Sequence, residues 1–319
     1  MLRLFPKNTK DTIRLFLVGF GMGSADTVPG VSGGTIAFIF GVYEELIFSI
    51  KKLTGEVLRL ILQGKVRKAI GETPLQFLVP LGLGLVAAIA TLAQVVSRLL
   101  DTQPVLVWSF FFGLLLASIF IIKKRVTVWN SKNYTVLALS ALVAYVMVGL
   151  VPVQTPATLT AFFLSGMVAI MAMILPGVSG SFLLILLGKY EQVLGAVTNR
   201  DILVLGAVAL GAAVGIAVFS RVLSWLFNNY HNVVVASLTG FMIGSLRKVW
   251  PWKEEVSPLI ERNILPTELN IELAIAVFLI IFAVWFMHYL DGFQAMSEKT
   301  SDIKDPELRD SHRKAIKKS

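Results

Sequence analysis

The chain of 319 residues is 55% hydrophobic and 15% charged, and its mean hydropathy is +0.75. Soluble domains carry about 25% charged residues, so this composition indicates a membrane protein. The lack of cysteine excludes disulfides, thiolate catalysis and cysteine-based metal sites, and three scattered histidines do not suggest a metal centre. We therefore expect no metal and no cofactor. The net charge of +9 is interpreted as a signal for membrane orientation and anionic lipid, with no nucleic acid as partner.

The first apolar region, residues 12–50, is interrupted by helix breakers. Its arms are Thr12–Val28 and Thr35–Ile50, and Pro29-Gly30-Val31-Ser32-Gly33-Gly34 lies between them. Irregular backbone at membrane depth is tolerated only against protein or a water-filled cavity, so we predict a helical, re-entrant hairpin. A basic amphipathic insert follows at 51–74. Next come three predicted spans, each close to the ~20 apolar residues that a bilayer requires: Leu75–Val96, Val105–Ile122 and Tyr134–Val151.

The second part of the chain repeats this order over residues 153–291. Its predicted hairpin covers 158–197, around Pro176-Gly177-Val178-Ser179-Gly180. The predicted spans that follow are Ile202–Phe227, Val233–Leu246 and Ile271–Leu290. Residues 1–152 then form a first half, and 292–319 form a basic, polar tail that we expect to be disordered.

The two halves are related in sequence. At an offset of 147 residues the two Pro-Gly-Val-Ser-Gly runs coincide and Gly41 falls on Gly188, while at an offset of 127 Gly84 falls on Gly211. Each half has one hairpin and three spans, which is an odd number of crossings, so the second half enters the membrane from the opposite side. The sequence therefore predicts an all-α polytopic membrane protein built from two inverted-topology repeats. In that architecture the binding site lies near the midplane, between broken helices.

Positive charge predicts the orientation. With the N-terminus, the basic insert, Lys123–Arg125 and the C-terminal tail inside, most Lys and Arg residues face the cytoplasm, as the positive-inside rule requires. Both termini are then cytoplasmic. The outer loop Arg247–Arg262, with four basic residues, fits this assignment least well.

The two broken loops have the features of an anion site. Proline ends a helix, glycine permits close approach to the backbone, and Ser32 and Ser179 can cap the helices that follow. A helix N-terminus offers free N–H groups and a positive dipole end, so two of them together would hold a phosphate. Arginine adds bidentate pairing with phosphate. The predicted phosphate-binding residues are Gly30, Ser32, Gly33, Gly34, Gly177, Ser179, Gly180, Ser181, Arg98 and Arg221.

Each of these features also has a purely structural alternative. The loops could be tight turns that pack small residues between helices, and the two arginines could be interfacial side chains. Three carboxylates in or near apolar stretches, Asp26, Glu44 and Glu191, are candidates for a coupling proton because intramembrane carboxylates are costly. Glu44 and Glu191 could instead lie at helix ends and meet the interface.

The run Gly21–Thr35, followed by Gly41-Val42-Tyr43-Glu44, resembles the bacterial polyprenyl-phosphate transporter family. The run Leu175–Ser181, followed by Gly188-Lys189-Tyr190-Glu191, looks like the second signature of that family. The resemblance implies a flippase of the bacterial cytoplasmic membrane that returns undecaprenyl phosphate from the outer to the inner leaflet for cell-envelope synthesis. Its partners would be this lipid and the surrounding membrane lipid, and the sequence leaves protein partners undetermined.

Two other functions stay open at this point. The first is a membrane enzyme similar to undecaprenyl-diphosphate phosphatase, whose Pro-Gly-x-Ser-Arg-Ser-Gly motif has arginine after serine. Here glycine stands at Gly33 and Gly180, and no histidine or carboxylate pair for phosphoryl chemistry is close in sequence. The second is a small-anion channel, which would need a continuous polar pore that these apolar spans do not suggest.

Overall fold

The computed structural model describes residues 9–28, 31–257 and 260–304, and most of this chain is helical. Within these residues five helices are long and apolar enough to cross a membrane, or up to seven if two bent helix pairs each count as a span. Many large apolar side chains on them face outward, among them Trp225, Phe278 and Trp285. A surface of this kind is stable only in lipid, so the expected integral membrane protein is confirmed.

The first half consists of helices joined by short loops. They are α1 (Thr9–Asp26), α2 (Gly33–Ile39), α3 (Tyr43–Lys52), a π-helical turn (Leu53–Val57), α4 (Leu58–Leu62), α5 (Val66–Glu72), α6 (Leu75–Thr102), α7 (Pro104–Lys123) and α8 (Ser131–Val148). The helices α6 to α8 are the three predicted spans, and α3 to α5 contain the predicted basic insert.

The second half follows the same order. It contains α9 (Leu159–Ile174), α10 (Gly180–Leu186), α11 (Tyr190–Thr198), α12 (Ile202–Ser245), two strands β1 (Lys253–Ser257) and β2 (Ile260–Asn263), and α13 (Ile271–Lys304). Helix α13 continues past the predicted tail boundary at 291 to Lys304, and the rest of the predicted tail, like residues 1–8, lies outside the described residues.

The second arm of each predicted hairpin is not one helix, which differs from the expectation. Helix α2 meets the following helix at 114°, and α10 meets α11 at 104°. Each bend lies at a glycine with a left-handed backbone, Gly41 with φ +70° and Gly188 with φ +65°. A side chain disfavours this conformation, so the glycines end the short helices after about 10 Å of rise. All seven residues of α2 are buried.

Helix α12 is two consecutive helices joined at Tyr230, whose φ of −139° and ψ of 43° are not helical. A straight helix of this length would extend about 66 Å, roughly twice the apolar thickness of a bilayer. Asn232 accepts a hydrogen bond from the amide of Thr127, in the α7–α8 connection, whereas Arg247 donates to the carbonyl of Tyr145 near the other end of α8. The two parts of α12 therefore correspond to the two spans predicted there.

The antiparallel pair β1–β2 is a departure from the all-α prediction. It lies between α12 and α13 and overlaps the predicted outer loop Arg247–Arg262. Its base is fastened to the end of α12, because Trp250 Nε1 donates to the Ile264 carbonyl at 2.8 Å and Asn263 Nδ2 donates to the Arg247 carbonyl at 2.8 Å.

Glycines at related sequence positions make corresponding helix contacts in the two halves. A side chain at Gly19 would overlap the carbonyl of Leu81, where α1 crosses α6, and one at Gly166 would overlap the carbonyl of Val208, where α9 crosses α12. Close backbone approach at small residues is how membrane helices gain packing energy. The third long helix of each half packs elsewhere, since α8 lies against α12 and α13 lies against α7.

Candidate functional site

The first broken loop places a carboxylate at the start of α2. Asp26, the last residue of α1, accepts a hydrogen bond from the Gly33 amide at 2.7 Å, and Ser32 caps α2 by accepting from the Gly34 amide at 3.1 Å. The amides that the sequence analysis left free for an anion are thus already paired within the protein. Gly30, also predicted to bind phosphate, lies outside the described residues.

The second loop is built differently at the corresponding point. Ser179 makes no side-chain cap on α10, and its hydroxyl lies 2.7 Å from that of Ser181 instead. Met173 stands in sequence where the first half has Asp26, so no carboxylate from that position can reach the α10 amides. Gly180 packs tightly, since a side chain there would approach the Ala169 carbonyl to 2.7 Å.

The two loops touch each other. The Ser32 hydroxyl lies 3.2 Å from the Met173 carbonyl oxygen and 3.3 Å from that of Leu175, to either of which it can donate. In return, Thr35 Oγ1 accepts a hydrogen bond from the Gly177 amide at 3.0 Å. Ser32 is 1% exposed and Thr35 is 3% exposed. Two helix breaks far apart in sequence therefore meet inside the bundle through side chains of one and backbone of the other.

The three carboxylates predicted to carry a coupling proton do not lie together. Asp26 belongs to this junction. Glu44 lies 3.1 Å from Nε2 of His231, next to the Tyr230 break of α12, and Glu191 is exposed on α11. Sequence reasoning missed Glu45, which is 7% exposed and whose Oε1 has no hydrogen-bond partner among the described residues.

The two predicted arginines are not brought to the loops. Arg98 is exposed near the end of α6. Arg221 donates to the carbonyls of Ala217, at 2.5 Å, and Thr54, at 2.7 Å, and so fastens α12 to the π-helical turn of the insert. Lys189 was not among the predicted site residues. It is fully buried and donates to the carbonyls of Thr155 and Pro156. It holds the start of α11 against the segment before α9.

An apolar groove of about 390 Å³ lies between α1, α6, α7 and α13. Its lining is almost wholly hydrocarbon, and its polar residues are Ser24 and Gln103. Ser24 lies on α1, the helix that ends at Asp26. The lining residues are Ser24, Leu92, Val96, Leu99, Gln103, Leu106, Val107, Phe110, Phe111 and Leu279.

A second polar cluster lies where the β-hairpin covers the end of α12. The Glu261 carboxylate accepts from Lys253 at 2.9 Å and from Lys248 at 3.2 Å. Burial lowers the pKa of Lys253 to about 8, assisted by Lys248 and opposed by Glu261. Burial acts to raise the pKa of Glu261, but the two lysines outweigh it and hold that pKa below its usual value. The sequence analysis counted these lysines only as outer-loop charges.

A helical membrane protein whose broken helices meet within the bundle has the construction of a secondary transporter. Comparison with known proteins agrees. Residues 22–264 match the family described as undecaprenyl phosphate translocase-like, and the chain belongs to that family. The resemblance noted in the sequence is thereby confirmed.

Two curated relatives carry the same name. A polyprenyl-phosphate transporter of Vibrio cholerae serotype O1 is 41% identical over 274 residues, which cover 82% of this chain and 88% of that protein. A polyprenyl-phosphate transporter of Staphylococcus aureus is 29% identical over 253 residues, covering 74% of this chain and 85% of that protein. No solved structure matches the chain.

Proposed function

We propose that this protein is a flippase that moves undecaprenyl phosphate from the outer to the inner leaflet of the bacterial cytoplasmic membrane. The observation that carries the proposal is the junction of the two loops, Ser32 on Leu175 and Thr35 on Gly177, in a chain whose relatives are named polyprenyl-phosphate transporters. The headgroup would bind at this junction, and the isoprenoid tail would run in the apolar groove that Ser24 of α1 helps to line.

At this site the Asp26 carboxylate can be exchanged for the phosphate headgroup. Its carboxylate lies on the Gly33 amide, which is where a phosphate oxygen would bind at a helix N-terminus. Two anions cannot share that amide, so headgroup binding displaces Asp26, and a proton taken up by Asp26 favours the exchange. Asp26 is therefore the carboxylate that we assign to proton coupling, ahead of Glu44 and Glu191. Asp26→Asn keeps an acceptor but cannot titrate, so transfer by this variant should lose its pH dependence below pH 8, where Lys253 stays charged, and dependence retained in that range would exclude the assignment.

Alternating access follows from two inverted repeats. The helix crossings at Gly19 and Gly166 correspond to each other and support an equivalent construction of the two halves. Each half would contain a hairpin and three spans, which is an odd number of crossings, so the second half would have the opposite orientation in the membrane. Rocking of the helices around the junction, with parts of both halves moving, would open it first to one leaflet and then to the other. With the N-terminus and C-terminus in the cytoplasm, α10 and the β-hairpin belong to the outer half of the protein.

The test is lipid transfer in proteoliposomes that contain undecaprenyl phosphate in both leaflets. A membrane-impermeant phosphatase added outside removes only exposed phosphate, so protein-free vesicles stop at about half hydrolysis. With the purified protein we expect hydrolysis to approach completion. The double variant Ser32→Ala/Ser179→Ala should slow this second phase strongly, because it alters both loops at the junction.

The matched control is Ser140→Ala/Ser237→Ala. These two hydroxyls lie 2.8 Å apart between α8 and α12, so their joint removal leaves no unpaired partner and should not slow transfer. Transfer that is equal in the loop variant and the wild type would refute the site, and no transfer by the wild type would refute the flippase. Phosphate release by the protein itself, without added phosphatase, would point to an enzyme instead.

A further inference from the structure

The β-hairpin presents one carboxylate to two lysines. Glu261 on β2 accepts from Lys253 on β1 at 2.9 Å and from Lys248 at the end of α12 at 3.2 Å. The Lys253 side chain is 10% exposed, and its ammonium lies 4.0 Å above the ring of Trp108 on α7. The Lys248 ammonium lies 5.6 Å from the ring of Phe182, in the first turn of α10. The pair therefore lies between the hairpin, α7 and the helix that follows the second loop.

This arrangement is held in place by backbone contacts. The Ile264 amide donates to the Trp252 carbonyl at 3.0 Å, and Trp250 Nε1 donates to the Ile264 carbonyl at 2.8 Å. These bonds close the base of the hairpin, so Glu261 meets the lysines in a defined register and not as a side chain of a loose loop.

The cluster carries more positive than negative charge. Two ammonium groups share one carboxylate, and a buried ammonium is costly unless an anion accompanies it. The two partners are unequally enclosed, since Glu261 is 44% exposed and Lys253 only 10%. The carboxylate can thus turn to water at small cost, whereas Lys253 stays between Trp108 and the hairpin. An anion with several acceptor oxygens would replace Glu261 with more hydrogen bonds to the same two lysines.

We propose that Lys248 and Lys253 form an outer binding site for a phosphate-monoester headgroup, and that Glu261 is an internal anion which this headgroup displaces. The identification of the headgroup as that of the transported lipid rests on the proposed function. The site lies beside Phe182 in the first turn of α10, 5.6 Å from the Lys248 ammonium, and so next to the helix that follows the second loop.

Binding to protein in phosphatidylcholine nanodiscs tests the proposal. The probes are undecaprenyl phosphate, undecaprenol as the same chain without phosphate, and inorganic phosphate as the headgroup without a chain. Loss of one charge-assisted contact costs roughly tenfold in affinity, so Lys248→Gln and Lys253→Gln should each weaken undecaprenyl phosphate binding about that much. Glu261→Gln should strengthen it severalfold because the competing charge is gone.

The same hairpin supplies a matched control. Glu254 and Arg262 form an exposed ion pair at 2.7 Å, with side chains 52% and 70% exposed, so Glu254→Gln removes a carboxylate without touching the lysines and should leave affinity unchanged. Lys253→Arg keeps the charge and should retain most of the binding. Ellipticity and the fluorescence of the tryptophans around the hairpin identify any variant that has lost its fold.

The outcomes separate the two proposals. If the wild type transfers undecaprenyl phosphate but folded Lys248, Lys253 and Glu261 variants all bind it as the wild type does, the outer site is refuted and the flippase stands. If Glu261→Gln weakens binding, the carboxylate positions the lysines and does not compete, which also refutes the proposal. If the lipid is not transferred but inorganic phosphate binding depends on both lysines, the anion site stands and the lipid function falls.

Discussion

Ser32 and Ser179 occupy corresponding positions of the two loops, but only Ser32 bonds across the junction. Its hydroxyl caps α2 and reaches the carbonyls of the other loop, whereas among the described residues the Ser179 hydroxyl pairs with that of Ser181. Removing a buried cap costs about 1–2 kcal/mol, so Ser32→Ala should lower the thermal unfolding midpoint in detergent clearly more than Ser179→Ala. Equal shifts in the two variants would mean that the junction contributes nothing to stability.

Lys253 gives the outer cluster a pH dependence with a defined sign. Its pKa in the free protein is about 8, and the groups that face it are Glu261 on β2, Lys248 at the end of α12 and the neutral ring of Trp108. A bound phosphate, dianionic above pH 7, raises this pKa again, so binding takes up a proton. The titration of Lys253 should therefore leave the affinity for undecaprenyl phosphate unchanged below pH 8 and lower it by up to about tenfold per unit above it.

The control for this prediction is Lys253→Arg, since arginine keeps its charge throughout that range. The titration would be measured by nanodisc binding between pH 6.5 and 9.5. A wild-type affinity that stays level up to pH 9.5, or an arginine variant that falls in the same way, would contradict the assignment of the titration to Lys253.

Among the elements, the crossing of α1 with α6 is the clearest test of small-residue packing. A side chain at Gly84 would overlap the Phe16 carbonyl, whereas Gly82, on the same helix, has open space around it. Overpacking costs about 1–3 kcal/mol, so Gly84→Ala should lower the unfolding midpoint and the yield of folded protein. Gly82→Ala should leave both unchanged or raise them, since alanine favours helix, and a reversed order would exclude this packing.

The elements also show what hydropathy can predict. The spans α6, α7 and α8 were found because nothing but a bilayer explains about 20 apolar residues in a row. The bends at Gly41 and Gly188 were missed because a glycine in an apolar run does not reveal its φ. The β-hairpin was missed because its pairing depends on the contacts of Trp250 and Asn263 with the ends of neighbouring segments.

The candidate site, like the helices and strands, could be predicted only in part. Duplication of the loops indicated that they act together, and their contact agrees with that expectation. The sequence could not predict that Asp26 pairs with the Gly33 amide, or that Arg98 and Arg221 lie away from the loops. Both depend on tertiary contacts that the spacing of residues does not reveal. The lysine pair was not predicted because a β-hairpin brings Lys248, Lys253 and Glu261 together, and the sequence indicated only an outer loop at Arg247–Arg262.

For the whole molecule, the packing interleaves the two halves. The helix α8 of the first half lies against α12 of the second, and α13 of the second lies against α7 of the first. A side chain at Gly113 on α7 would meet Ile280 on α13, and one at Gly240 on α12 would meet Leu137 on α8. The two contacts between the halves therefore use glycines at related sequence positions. Neither half can bury these surfaces by itself, and any rocking motion must move parts of both.

Orientation is the remaining property at this scale, and the natural absence of cysteine makes it directly measurable. The exposed residues Gln63, in the insert, and Asn199, after α11, are separated by three spans and the predicted second hairpin. They should therefore lie on opposite sides of the membrane if the second half is inverted. Ser131 should share the cytoplasmic side with Gln63, and Glu255 on the β-hairpin should share the outer side with Asn199.

The measurement uses four single-cysteine variants, Gln63→Cys, Ser131→Cys, Asn199→Cys and Glu255→Cys, and a membrane-impermeant maleimide. In spheroplasts we expect labelling at positions 199 and 255 only, and in inverted vesicles at positions 63 and 131 only, because positive charge retains the basic insert and the α7–α8 connection inside. The cysteine-free parent controls for background labelling. Labelling of positions 63 and 199 from the same side would overturn the inverted arrangement, whereas a complete exchange of sides would preserve it and reverse the orientation, placing Lys248 and Lys253 in the cytoplasm.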